Sequence, residues 1–137
     1  MARSGHIQHI TIHHSASSRE QTKLENIDEW HRRRNFDEIG YHFVIEGDGE
    51  IRSGRGPHLR GAHVGGNNTG NIGVCVVGNN CRAGDEWTPA QCLALRELLH
   101  ALLRVYNLEP SDVRGHRDWE SASTQCPGID ITAILGP

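Results

Sequence analysis

The run Ile72-Gly73-Val74-Cys75-Val76-Val77 leaves the folding chain the least choice. It holds no charged or hydroxylated side chain, ends at Gly78-Asn79-Asn80, and is shorter than a helix that spans a core. A strand of that character is covered on both faces, as in sheets sandwiched between helices. The run is therefore expected at the centre of a sheet, and the remaining chain must supply its neighbours and the helices that cover it.

Those elements are legible. Between Ile7 and His13, the positions Ile7, His9, Thr11 and His13 alternate with Gln8, Ile10 and Ile12, the period of a strand. Tyr41 to Glu46, then Gly47-Asp48-Gly49, then Glu50-Ile51-Arg52 spell a hairpin, because Asp-Gly supplies the positive-φ positions of a tight turn. Leu24, Ile27 and Trp30 recur at three-residue spacing and predict an amphipathic helix of about three turns, with Arg32-Arg33-Arg34 at its solvated end. Thr88-Pro89-Ala90-Gln91 is a capping box with proline at the first helical position. After it, Leu95, Leu98, Leu99, Leu102, Leu103 and Tyr106 form the stripe of the longest helix. Asp112 to His116 fits one more strand or turn, and Asp130 to Leu135 a last short helix. The Gly- and Asn-rich stretch from Gly54 to Gly70 reads as an ordered loop lining a groove. The expectation is a single α/β domain, residues 1–137, with a mixed central β-sheet flanked by helices.

Composition removes some functions. Fourteen Lys+Arg against 17 Asp+Glu, a formal charge of −3, argue against nucleic-acid binding by phosphate neutralisation. No apolar run approaches the ~20 residues that span a bilayer, and the first residues lack the apolar centre of a secretory signal. Four cysteines without such a signal read as reduced thiols or metal ligands, although Cys81 and Cys92 are candidates for a disulfide in an oxidising compartment. Ten histidines in 137 residues are the unusual count and direct attention to metal or acid–base chemistry. His13, His116 and Cys126 are the candidate zinc ligands. Three protein donors leave one tetrahedral position open, the arrangement of a catalytic rather than a structural zinc. Their spacing carries no ligand-pair signature of its own.

Six blocks in order change the weight of that triplet: Ile12-His13-His14-Ser15-Ala16, Gly40-Tyr41-His42-Phe43, Asn71-Ile72-Gly73-Val74, Thr88-Pro89-Ala90-Gln91, Gly115-His116 and Thr124-Gln125-Cys126-Pro127-Gly128. Together they resemble type 2 N-acetylmuramoyl-L-alanine amidases, in particular phage endolysins of the T-seven lysozyme type and animal peptidoglycan recognition proteins. The resemblance implies one catalytic Zn2+ in a surface groove, held by His13, His116 and Cys126. His14 competes with His13, but alternate strand residues face opposite ways, so only one of the two readily joins the same metal.

The resemblance further implies hydrolysis of the amide between N-acetylmuramic acid and the L-alanine of the stem peptide. Tyr41 aligns with the family's active-site tyrosine, a hydrogen-bond donor to developing negative charge. Thr124 stands where some relatives carry lysine and offers a neutral hydrogen bond instead of a fixed charge. His63 and Asn67 are expected to contact substrate, with His42 beside them as a substrate contact or proton shuttle. The expected partner is peptidoglycan, with no nucleic acid and no membrane insertion, and the chain is expected to act as a monomer. Its expected setting is the host bacterial cytoplasm, without signal peptide, followed by release to the wall. A recognition module that binds muropeptides without cutting them is the alternative.

Overall fold

The computed structural model describes residues 1–136. Five strands form one mixed sheet: β1 (His9–His14), β2 (Phe43–Ile45), β3 (Ile51–Ser53), β4 (Asn71–Val76) and β5 (Val113–Gly115). Their spatial order is β3-β2-β4-β1-β5, so the apolar run lies in the middle strand, as its character requires. β4 runs parallel to β1 and to β2, β1 runs parallel to β5, and the β2–β3 hairpin is antiparallel. The hairpin closes through Glu46 and Glu50, with Gly49 at φ 89°.

Helices cover both faces. On one, Ile72, Val74 and Val76 of β4 join Ile10 and Ile12 of β1 under α2 (Pro89–Val105) and α3 (Ile131–Leu135). α2 begins as its sequence predicts: the Thr88 hydroxyl accepts from the Gln91 N–H at 3.1 Å, and the Thr88 N–H donates to Gln91 Oε1 at 3.0 Å. Gln91 also donates to the Val77 carbonyl at 2.7 Å, tying the helix start to the end of the central strand.

On the other face, Cys75, Val77 and Val44 pack with Ile27 of α1 (Leu24–Arg33). Here the structure departs from the expected stripe. Trp30 remains 41% exposed and His31 is buried in its place. A helix turns 100° per residue, so Leu24, Ile27 and His31 align on one face while Trp30 moves to its flank. The start of α1 is capped from a distant strand end: the Glu46 carboxylate, 2% exposed, accepts the Leu24 N–H at 2.8 Å and pairs with Arg52 at 2.9 Å. Arg32 and Arg33 pair with Asp28 and Glu29 one turn back. All four thiols are free, so Cys81 and Cys92 are not joined.

Candidate active site

The parallel register brings distant residues to one end of the sheet. His13 of β1 stands opposite Cys75 of β4, and Ile12 stands opposite Gly115 of β5, so His116 emerges beside His13. Cys126 arrives on a turn that packs against β5: a side chain on Gly115 would place its Cβ 2.8 Å from Pro127 Cδ. This close approach explains the Gly115-His116 and Cys126-Pro127 pairing of motifs. The Arg117 N–H donates to the Cys126 carbonyl at 2.7 Å and locks the two segments together.

The donor atoms of His13, His116 and Cys126 lie within 4.8 Å of one another. Cys126 Sγ is 3.9 Å from His13 Nδ1 and accepts the His14 N–H at 3.3 Å. The His13 and His116 rings are tilted with centroids 4.6 Å apart. His14 points the other way, as strand alternation requires, and its Nδ1 accepts the Asn80 N–H at 3.2 Å.

The chemistry of this set suits a thiophilic dication. Burial, with His63 and His116 nearby, drives the His13 imidazole well below its ordinary value, and burial lowers His116. Both rings are thus neutral and able to donate a lone pair. Burial also pushes the Cys126 thiol up to about 11, so a positive charge is what it needs to ionise.

A groove of about 410 Å³ opens over the cluster. His31, Arg34, Phe36, Tyr41 and Asn68 share its wall with the three donors. Arg34 is the single permanently charged side chain lining it among the described residues, and its guanidinium lies 5.1 Å from the Phe36 ring centroid. His31 Nδ1 accepts the Gly40 N–H at 2.9 Å, so the neutral ring carries its hydrogen on Nε2. Burial and the charges of Arg34 and Arg55 bring it to about 4.

Tyr41 lies beside the donors, its ring centroid 5.0 Å from that of His13. Burial, with the thiols of Cys75 and Cys126 nearby, raises its phenol well above the usual 10. It therefore keeps its O–H as a donor at every working pH. Arg55, 6% exposed, holds the approach to Tyr41 by donating to the carbonyls of Ile39, Glu38 and Arg60 at 3.0, 3.0 and 2.7 Å.

The other expected site residues fall differently. His42 is 1% exposed; its Nδ1 accepts the Gly73 N–H at 3.0 Å and its Nε2 donates to the Leu59 carbonyl at 2.9 Å. With no nitrogen free, it bridges strand and loop and does not line the groove. Asn67 also lies off the groove wall, donating to Ser121 Oγ at 2.8 Å, while its neighbour Asn68 faces the groove. Thr124 is exposed; its hydroxyl accepts the Cys126 N–H at 3.1 Å and retains its own hydrogen to donate. His63 reaches the groove, but both its nitrogens are bonded within the protein, to His13 and to the Asn71 carbonyl.

Several residues of this network escape a reading by sequence: Thr11, Asn71, Trp119, His31 and Arg55. Gly73 is the signal that was available, since a glycine inside an apolar strand marks a close approach. A Cβ there would meet the His63 ring at 2.7 Å.

A mixed sheet thus carries two imidazoles and a thiol at the floor of a surface groove. Residues 3–129 match the family model described as N-acetylmuramoyl-L-alanine amidase, and the chain belongs to that family. It is 38% identical over 126 residues to an endolysin of Enterobacteria phage T3, covering 89% of this chain and 81% of that protein. It is 34% identical over 136 residues to peptidoglycan-recognition protein SC2 of Drosophila melanogaster, covering 93% and 72%. Among solved structures, the N-acetylmuramoyl-L-alanine amidase LysC from Clostridium intestinale superposes with a TM-score of 0.83 at 32% identity, covering 94% of this chain and 83% of that one.

Proposed function

We propose that the chain is a zinc-dependent phage endolysin that hydrolyses the amide between N-acetylmuramic acid and the L-alanine of the peptidoglycan stem peptide. The observation that carries this reading is the meeting of His13, His116 and Cys126 donors within 4.8 Å at the floor of the groove. His13 and His116 would hold one zinc ion as neutral imidazoles and Cys126 as thiolate. A bound zinc supplies Lewis acidity toward the amide carbonyl and brings the ionisation of water near neutral pH.

The chain's own groups do the rest. Tyr41 donates its phenolic hydrogen to the charge that develops on the carbonyl oxygen. Thr124 holds the Cys126 turn by accepting the Cys126 N–H and keeps its own O–H to donate. Arg34 favours a substrate that carries carboxylates, as stem peptides do. The protein acts as a monomer, is made in the host bacterial cytoplasm and meets the wall on release. No helix among the described residues is long and apolar enough to cross a membrane.

Purified sacculi test the reading. Stem peptides with new L-alanine amino termini should appear, and both a chelator and Cys126→Ser should abolish them. Tight binding to sacculi without release of peptide would sink the hydrolase reading and favour the recognition role suggested by the insect relatives.

A further inference from the structure

We propose that His63 is a positioning residue for the His13 donor: a hydrogen-bond relay from the Asn71 carbonyl through the His63 ring holds His13 in the tautomer whose Nδ1 lone pair faces the metal site. The inference rests on the zinc reading above, but every group in it belongs to the chain.

The direction of the relay follows from its far end. A carbonyl can only accept, so His63 Nε2, 2.9 Å from Asn71 O, carries a hydrogen. A neutral imidazole has one such hydrogen, which leaves His63 Nδ1 as an acceptor. Its partner, His13 Nε2 at 2.9 Å, must therefore donate. The one hydrogen of the His13 ring is thus directed away from the site. The remaining nitrogen, Nδ1, is the atom 3.9 Å from Cys126 Sγ. In the opposite tautomer His13 would present an N–H to the site and could not ligate through that atom.

The relay is anchored at each step. The Asn71 side chain accepts from Thr11 Oγ1 at 2.8 Å and donates to the Asn67 carbonyl at 2.8 Å, so its residue is fixed. The His63 and Val64 N–H groups both donate to Asn68 Oδ1 at 2.8 Å. The ring itself lies in a slot that exists because Gly61 and Gly73 lack side chains: a Cβ on either would approach it to 2.8 and 2.7 Å. The alternative role, direct contact with substrate through a ring nitrogen, has no nitrogen left to use.

Two variants separate positioning from bulk. His63→Leu fills the slot without an acceptor, whereas His63→Asn keeps a carbonyl oxygen near the place of Nδ1. Zinc affinity is read by competition with a chromophoric chelator, on proteins whose fold is verified by circular dichroism and thermal unfolding. The His13 tautomer is read in the metal-free proteins from imidazole 15N shifts. The expected results are a loss of about 10–100-fold in zinc affinity for His63→Leu, recovery of most of it in His63→Asn, and a defined Nε2–H tautomer of His13 that becomes mixed only in His63→Leu. Equal zinc affinity in all three proteins, or equal losses in both variants, overturns the relay. If the wild-type chain takes up no zinc, the zinc reading fails and the tautomer measurement alone decides the relay: an unchanged His13 tautomer in His63→Leu overturns it.

Discussion

Thr11→Val is the most economical perturbation of the framework beneath the site. Thr11 is fully buried, and its hydroxyl accepts from Trp119 Nε1–H at 3.0 Å while donating to Asn71 Oδ1 at 2.8 Å. Valine has nearly the same shape, so packing is preserved while both bonds vanish and two buried polar groups are orphaned. Each orphan costs about 1–3 kcal/mol, and the added methyl returns under about 1 kcal/mol. The net loss is about 3 kcal/mol, which at about 3–5 °C per kcal/mol for a domain of this size lowers Tm by roughly 10 °C. Thr11→Ser keeps the hydroxyl and loses only a methyl, about 1 kcal/mol. Each orphaned partner is also tied to the site through its backbone: the Asn71 carbonyl accepts from His63, and the Trp119 N–H donates to the His116 carbonyl. Zinc affinity should therefore fall in Thr11→Val and hold in Thr11→Ser. Urea and thermal unfolding of the metal-free proteins provide the assay. A Thr11→Val protein within about 1 kcal/mol of wild type, or a serine variant as damaged as the valine one, refutes the reasoning.

Gly73→Ala should cost about 1–3 kcal/mol by overpacking against the His63 ring, and most of that cost should vanish in a His63→Ala background; additive losses in a urea-unfolding cycle would contradict the slot. Glu46→Ala should cost about 2 kcal/mol, below the usual figure for a broken buried pair because Arg52 is partly exposed and also pairs with Glu25; an unchanged urea midpoint would contradict its capping role. The Cys126 thiol, at about 11, is protonated at ordinary pH and must lose its proton to ligate, whereas both imidazoles are already neutral. Zinc uptake at pH 8, above the ordinary imidazole range, should then release about one proton, and affinity should fall about tenfold for each unit of acidification while both rings stay neutral. Calorimetry in two buffers of different ionisation enthalpy counts that proton, and a count of zero would remove Cys126 from the donor set.

The elements whose signals are local were legible before any coordinates. The unbroken apolar run became the middle strand, Asp48-Gly49 turned the hairpin, and Thr88 with Gln91 opened the long helix. Strand alternation also separated His13 from His14. The misplaced elements depend on tertiary partners. Three-residue spacing made Trp30 appear buried, but only packing against the sheet shows that the face drifts to His31. His42 resembled a groove residue because its partners, the Leu59 carbonyl and the Gly73 N–H, are backbone groups that no side-chain pattern reveals. Asn67 and Asn68 are adjacent and chemically identical, and only the loop's conformation decides which one faces the groove.

The first and last donors stand 113 positions apart, with the middle one close to the last. The three side chains therefore meet only through the parallel pairing of β1 with β5 and the turn that carries Cys126, so a copy cut before that turn keeps both imidazoles and lacks the thiol.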